Sequence, residues 1–215
     1  MSASERVAPK ARVPRDAAVV FDIGGVLMNW DPRRLFRTVF ADEARMDWFL
    51  ANVCTGQWNA QQDAGRPLAE ATAERVARFP DWANEIRAYY GRWLEMIGGP
   101  VPGTAAIVEQ LARQGTRLFA LSNFSAETFA QVRGAYPELE RFERIFLSAH
   151  HGVVKPGRRF FEIALDEIGL PPPSLVFIDD SEPNVVTARS LGMHGIVFRS
   201  AAELRGELAA LGVLH

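Results

Sequence analysis

The sequence predicts an α/β fold: a parallel sheet with helices on both faces, carrying a small all-helical insert. Three observations lead there. Short apolar runs recur along the chain without strict alternation, as in strands buried on both faces. Helical patterns separate the later runs. The first gap between runs, about 90 residues, is far longer than one crossover helix needs.

The elements follow in order. The opening stretch, MSASERVAPKARVPRDA, is polar and basic with no apolar segment, so residues 1–15 are expected to form a flexible arm and not a secretory signal. The first strand is AAVVFDI (17–23). In the long gap, Met46, Phe49, Leu50 and Val53 share one helical face, and Ile86, Tyr89, Tyr90, Trp93 and Ile97 share another. GGPVPG (98–103) reads as a return linker. The insert is therefore placed at 31–98, and the sheet domain at 16–30 and 99–215.

Three further strong runs are TRLFALSN (116–123), ERIFLSA (143–149) and SLVFIDD (174–180); HGIVFRS (194–200) is a weaker one. The helix before the second run has Ile107, Val108 and Leu111 on one side and ends at Gly115. The helix after the third has Phe160, Phe161, Ala164, Leu165 and Ile168 and ends at Gly169. EPNVVTARSLGM leads into the last strand.

Composition narrows the function classes. The 215 residues are 48% hydrophobic and 23% charged, as in globular proteins, with net charge −2. That balance does not point to nucleic acid or to an anionic membrane surface. Cys54 is the single cysteine, so an internal disulfide is excluded and a reducing, cytoplasmic setting is expected. No apolar run approaches the ~18 residues of a membrane helix. Nothing in the sequence sets an oligomeric state.

Parallel α/β sheets bind ligands beyond the carboxyl ends of their strands. There the first strand delivers Asp22, the second Ser122 and Asn123, and the fourth Asp179 and Asp180; Lys155 follows the third. Carboxylates without imidazole or thiolate are hard ligands suited to Mg²⁺. A metal and a lysine can hold a phosphate beside a carboxylate that would otherwise repel it. The carboxylate can then attack phosphorus in line, forming an aspartyl-phosphate that water hydrolyses.

These residues resemble the haloacid dehalogenase (HAD) superfamily of hydrolases, mostly phosphatases. FDIGGVL, ALSNFS, GVVKPGRRFFEIAL and VFIDDSEPNVVTARSLGM stand in that family's order over nearly the whole chain after residue 16. The resemblance implies a Rossmann-like core with a helical cap inserted after the first motif. FDIGGVLMNWDP and GQWNAQQDAGRP look most like a branch that includes bacterial sugar-phosphate phosphatases. Carried over, it makes Asp22 the nucleophile and a Mg²⁺ ligand and the Gly24 carbonyl a second ligand. Asp180 becomes a direct ligand and Asp179 an indirect one. Ser122 and the Asn123 N–H hold phosphoryl oxygens, and Lys155 neutralises charge. The implied function is a Mg²⁺-dependent phosphatase for a small phosphorylated metabolite such as a sugar phosphate.

One departure stands out. Most phosphatases of this superfamily have Asp where this chain has Gly24. General acid–base help is worth about 10²- to 10⁴-fold, and glycine cannot supply it. A good leaving group would need less protonation. Asp31 is a candidate substitute, although it also suits the cap of a helix opening at Pro32. The missing acid keeps two alternatives open, C–halogen hydrolysis and a non-catalytic binding module. The acidic pair after the fourth strand argues against the first, and the intact charged set against the second. Trp58, in a segment that reads as a loop, is a candidate substrate contact.

Overall fold

The structure, a computed structural model, describes residues 13, 14 and 16–215. The expected arm falls mainly outside the described residues. Val13, within them, donates its N–H to Leu211 O at 3.2 Å. The described chain opens with β1 (Ala18–Phe21) and β2 (Met28–Trp30). Five helices follow: α1 (Pro32–Val39), α2 (Glu43–Asn52), α3 (Gly56–Asp63), α4 (Leu68–Arg78) and α5 (Ala83–Gly91). Next come β3 (Ile97–Pro100), α6 (Thr104–Arg113), β4 (Leu118–Ser122), α7 (Ala126–Val132) and β5 (Arg144–Leu147). The last elements are α8 (Arg158–Ile168), β6 (Leu175–Asp179), α9 (Glu182–Ser190), β7 (His194–Val197) and α10 (Ala201–Ala210).

The main sheet has the order β5-β4-β1-β6-β7, and every pair in it is parallel. Alternate residues of its strands enter separate cores. Val19, Phe21, Leu118, Ala120, Val176 and Ile178 pack on the side of α6 and α10. Ala18, Val20, Phe119, Leu121, Leu175 and Phe177 pack on the side of α8 and α9. The near-continuous apolar runs have this cause: both faces are covered. Each fully buried Val, Ile or Phe contributes about 1.5–3 kcal/mol.

The predicted helix faces lie inward as expected: Ile107, Val108 and Leu111 are buried on α6, and Phe160, Phe161, Ala164 and Ile168 on α8. Gly169 takes the left-handed conformation (φ 71°) that ends α8. Between β2 and β3 the chain is helical, and its apolar residues Phe36, Phe49, Trp58, Tyr89 and Trp93 join the same core as Val19 and Phe21.

Three expectations need correction. The helical face expected to run from Ile86 to Ile97 stops with α5 at Gly91; Trp93 lies in a short 3₁₀ turn and Ile97 opens β3. GGPVPG is not merely a linker. Residues through Pro100 form β3, which pairs antiparallel with β2, Asn29 opposite Gly99. This ribbon joins the two ends of the helical segment. Trp58 does not sit in a loop. It belongs to α3, whose cap, Thr55, accepts the Trp58 N–H at 3.1 Å. Its ring packs on Tyr89 and Tyr90 at 5.2 and 5.3 Å, so it is core.

Candidate active site

Because the strands run parallel, their carboxyl ends share one edge of the sheet. Asp22 follows β1 and donates its N–H to Ile178 O on β6 at 2.8 Å. Ser122 ends β4, and Asp179 ends β6. The expected cluster forms: Asp22, Asp179 and Asp180 each offer an oxygen, all within 4.8 Å of one another.

Asp22 is held tightly. Its Oδ1 accepts from the Ile23 N–H at 2.7 Å and from Ser122 Oγ at 2.7 Å. Lys155 Nζ lies 3.0 Å from the same oxygen. Oδ2 carries none of these contacts. Lys155 is buried and also reaches Asp179 Oδ2 at 2.6 Å. Asn123 clasps the lysine backbone: its Nδ2 donates to Lys155 O at 2.9 Å, and its Oδ1 accepts the Lys155 N–H at 2.8 Å.

Asp179 is fully engaged. Besides Lys155, it accepts from the Ser181 N–H at 2.8 Å and from Asn184 Nδ2 at 3.0 Å on both oxygens. Asp180 is the exposed member of the cluster.

Three carboxylates therefore face one ammonium. Burial pushes Asp22 up to about 7, against the pull of Lys155 and with the push of Asp179. Asp180 is also raised, first by burial and then by Asp179. Like charges this close disfavour one another's ionised form. A cation of higher charge than lysine would relieve them, and the donor set is all oxygen.

A cavity of about 100 Å³ opens beside this cluster. Gly24 and Asn123, neighbours of Asp22 and Ser122, line it. So do the apolar and aromatic side chains of Met28, Trp30, Tyr90, Trp93 and Phe124, and the polar Asn59 and Asp63.

The predicted residues thus meet, with one exception. Asp31 does not line the cavity; its carboxylate accepts the Arg33 N–H at 2.9 Å and caps α1 ahead of Pro32. The helix-capping reading is the one the structure shows. Ser122, expected on a phosphoryl oxygen, directs its hydroxyl at Asp22 Oδ1. Two residues near the site carry no sequence signal of their own. Asn184 lies inside the quoted motif, but only the fold turns its amide onto Asp179. Asp63 sits in a segment read as a loop, and no local signal marks it.

The adjacent glycines differ. Gly25 has φ +72°, and a Cβ there would lie 2.3 Å from Asp180 Oδ2. A Cβ at Gly24 meets nothing within 4 Å. Gly25→Ala is therefore expected to cost at least about 1–2 kcal/mol and to displace Asp180. Gly24→Ala should stay within about 0.5 kcal/mol. Urea unfolding of both variants checks this; equal losses would refute it.

A parallel α/β core with a buried lysine among three carboxylates defines an enzyme built around an acidic centre. The model of the haloacid dehalogenase-like hydrolases matches residues 17–192, and the chain belongs to that family. It is 36% identical over 198 residues to drimenol cyclase drtB of Aspergillus calidoustus. That match covers 89% of this chain but 35% of the cyclase, so the chain spans about a third of that protein. It is 26% identical to sesquiterpene phosphatase astK of Aspergillus oryzae, over 83% of this chain and 88% of the relative. Its fold is similar to that of a HAD family enzyme from Bacteroides thetaiotaomicron crystallised with magnesium and inorganic phosphate. The TM-score is 0.67 at 20% identity, over 86% of this chain and 94% of the other. Among the described residues no helix is long and apolar enough to cross a membrane.

Proposed function

We propose that the protein is a Mg²⁺-dependent phosphatase that acts on a small phosphorylated metabolite through an aspartyl-phosphate. One observation carries this reading: Asp22, Asp179 and Asp180 converge around Lys155 with more negative than positive charge. In this reading Asp22 and Asp180 hold Mg²⁺ directly, together with the Gly24 carbonyl. Asp179, saturated by Lys155, Ser181 and Asn184, orients the lysine and acts on the metal indirectly. Bound Mg²⁺ would neutralise phosphoryl oxygens and draw off charge as the ester bond breaks.

The chain's own groups do the rest. Three donors on Asp22 Oδ1 fix the orientation of the carboxylate that attacks phosphorus. Lys155 offsets repulsion between that carboxylate and the phosphate. Ser122 holds Asp22 in register, and the Asn123 N–H is the proposed donor to a phosphoryl oxygen. Residues 31–98 act as a cap that limits water near the reacting atoms.

The resemblance of the sequence suggests a sugar phosphate, but the aromatic part of the cavity wall suits another ester. Met28, Trp30, Tyr90, Trp93 and Phe124 offer mostly apolar surface. The similarity to a sesquiterpene phosphatase points the same way. An apolar phosphate, such as an isoprenoid monophosphate, is the preferred substrate class.

Phosphate release from an isoprenoid monophosphate should exceed release from glucose 1-phosphate. With EDTA it should fall by about 10²-fold or more, and added Mg²⁺ should restore it. Full turnover in EDTA would remove the metal from the mechanism.

A further inference from the structure

We infer that Asp63 is the general acid and base of the reaction, supplied from α3 across the cavity in place of the side chain that Gly24 lacks. This rests on the phosphatase reading of the same site. Asp63 and Gly24 line the same cavity, so an acidic residue of the helical segment and the loop that carries Asp22 border one space. Asp31, the sequence candidate, is engaged as a helix cap.

Asp63 is held from both sides. Asn59 Nδ2 donates to its Oδ2 at 2.9 Å. Tyr90 Oη donates to Asn59 Oδ1 at 2.9 Å, and Gln62 Nε2 donates to Tyr90 Oη at 3.0 Å. The three bonds run in one direction and end on the carboxyl group, so each strengthens the next. The main chain of Asp63 is tied to the sheet domain as well. Ser148 Oγ donates to Asp63 O at 2.5 Å and accepts the Phe124 N–H at 2.9 Å. Phe124 lines the cavity too. Gly65, two residues on, packs so closely that a Cβ would lie 2.6 Å from Ala149 O. The carboxyl group thus keeps a set position relative to the strand ends.

Its proton affinity suits the role. Burial pushes Asp63 up to about 7, opposed by the Ser125 backbone N–H. Tyr89 and Tyr90 on α5 are the titratable groups that face it, and both are held neutral by burial. A catalytic acid works best with a pKa near the operating pH.

The steps balance. Asp22 attacks phosphorus, the bond from phosphorus to the leaving oxygen breaks, and the Asp63 carboxyl gives that oxygen its proton. The Asp63 carboxylate then takes a proton from water as the water oxygen attacks the aspartyl-phosphate. The acyl–phosphate bond breaks, phosphate leaves, and Asp22 and Asp63 return to their starting forms.

The test compares two esters of similar size, phenyl phosphate and p-nitrophenyl phosphate, with Asp63→Asn. Phenolate needs the proton and p-nitrophenolate needs it far less. Asp63→Asn should lose about 10²- to 10⁴-fold on phenyl phosphate. With p-nitrophenyl phosphate it should release a first equivalent of nitrophenol quickly and then stall. Phosphate should remain on Asp22, detected by intact mass after an acid quench. Tyr90→Phe keeps the ring and removes the hydroxyl that holds Asn59. It should show the same preference for the better leaving group, at about three- to tenfold. Equal losses on both esters with no trapped phosphoenzyme, in variants that melt like wild type, would overturn the assignment. A wild-type protein inactive on both esters overturns the phosphatase reading, and the role of Asp63 with it.

Discussion

Asp22→Asn is expected to reduce phosphate release by at least about 10⁴-fold for every substrate, whatever its leaving group. Asparagine keeps an oxygen for the Ile23, Ser122 and Lys155 donors that converge on Oδ1. It has no carboxylate to attack phosphorus. The substitution should leave the fold intact. It removes one of three mutually repelling acids, and the raised pKa of Asp22 sets the sign. A group raised from its ordinary value of 3.8 to about 7 contributes its full stability below about pH 4 and loses it as pH rises through about 7. Asparagine suffers no such loss. In EDTA, at pH 8, the variant should melt no lower than wild type. Rate assays beside thermal melts separate lost chemistry from lost structure. An active Asp22→Asn enzyme would end the aspartyl-phosphate mechanism.

Lys155→Met should have the largest effect on stability. The ammonium lies 3.0 Å from Asp22 and 2.6 Å from Asp179, with its side chain 1% exposed. Methionine fills similar space and leaves both buried carboxylates without their cation. Breaking a buried pair from one side costs about 3–5 kcal/mol. Turnover should fall by at least about 10²-fold, because the repulsion between nucleophile and phosphate returns. Mg²⁺ should restore part of the stability, since it brings positive charge to the same carboxylates, but not the activity. Denaturant titrations with and without Mg²⁺ measure this. A variant as stable as wild type in EDTA would show that the lysine does not balance the acidic cluster.

These two residues show how far the sequence reaches into the site. Asp22 and Lys155 were found because each follows an apolar strand, and parallel strands put such residues on one edge. Ser122, Asp179 and Asp180 follow by the same rule. Their grouping needs only strand direction and order. The β2–β3 ribbon was not legible. Its strands are three and four residues long, include Gly98, Gly99 and Pro100, and pair across about 70 positions. Propensity and periodicity carry nothing over that span. The α3 helix was missed because GQWNAQQDAG has no apolar stripe; its helicity depends on the Thr55 cap and on Trp58 packing against α5.

The α/β class, the strands buried on both faces and the charged residues at their carboxyl ends are all legible along the chain. These are local properties: runs of apolar residues, turn residues after them, and order along the chain. Which carboxylate shares a cavity with Gly24, beside the loop that carries Asp22, follows from the folded chain alone. Asp31 was the nearer candidate in sequence, but its backbone position at the start of α1 commits it to the Arg33 N–H. Asp63 is some 40 positions from Asp22 along the chain, yet it lines a cavity with Gly24. Folding the helical segment back over the strand ends places it there, where partial burial keeps its proton near neutral pH. That juxtaposition depends on contacts between distant segments, through Ser148, Gly65 and the Asn59–Tyr90 pair, and no periodicity in the sequence encodes them.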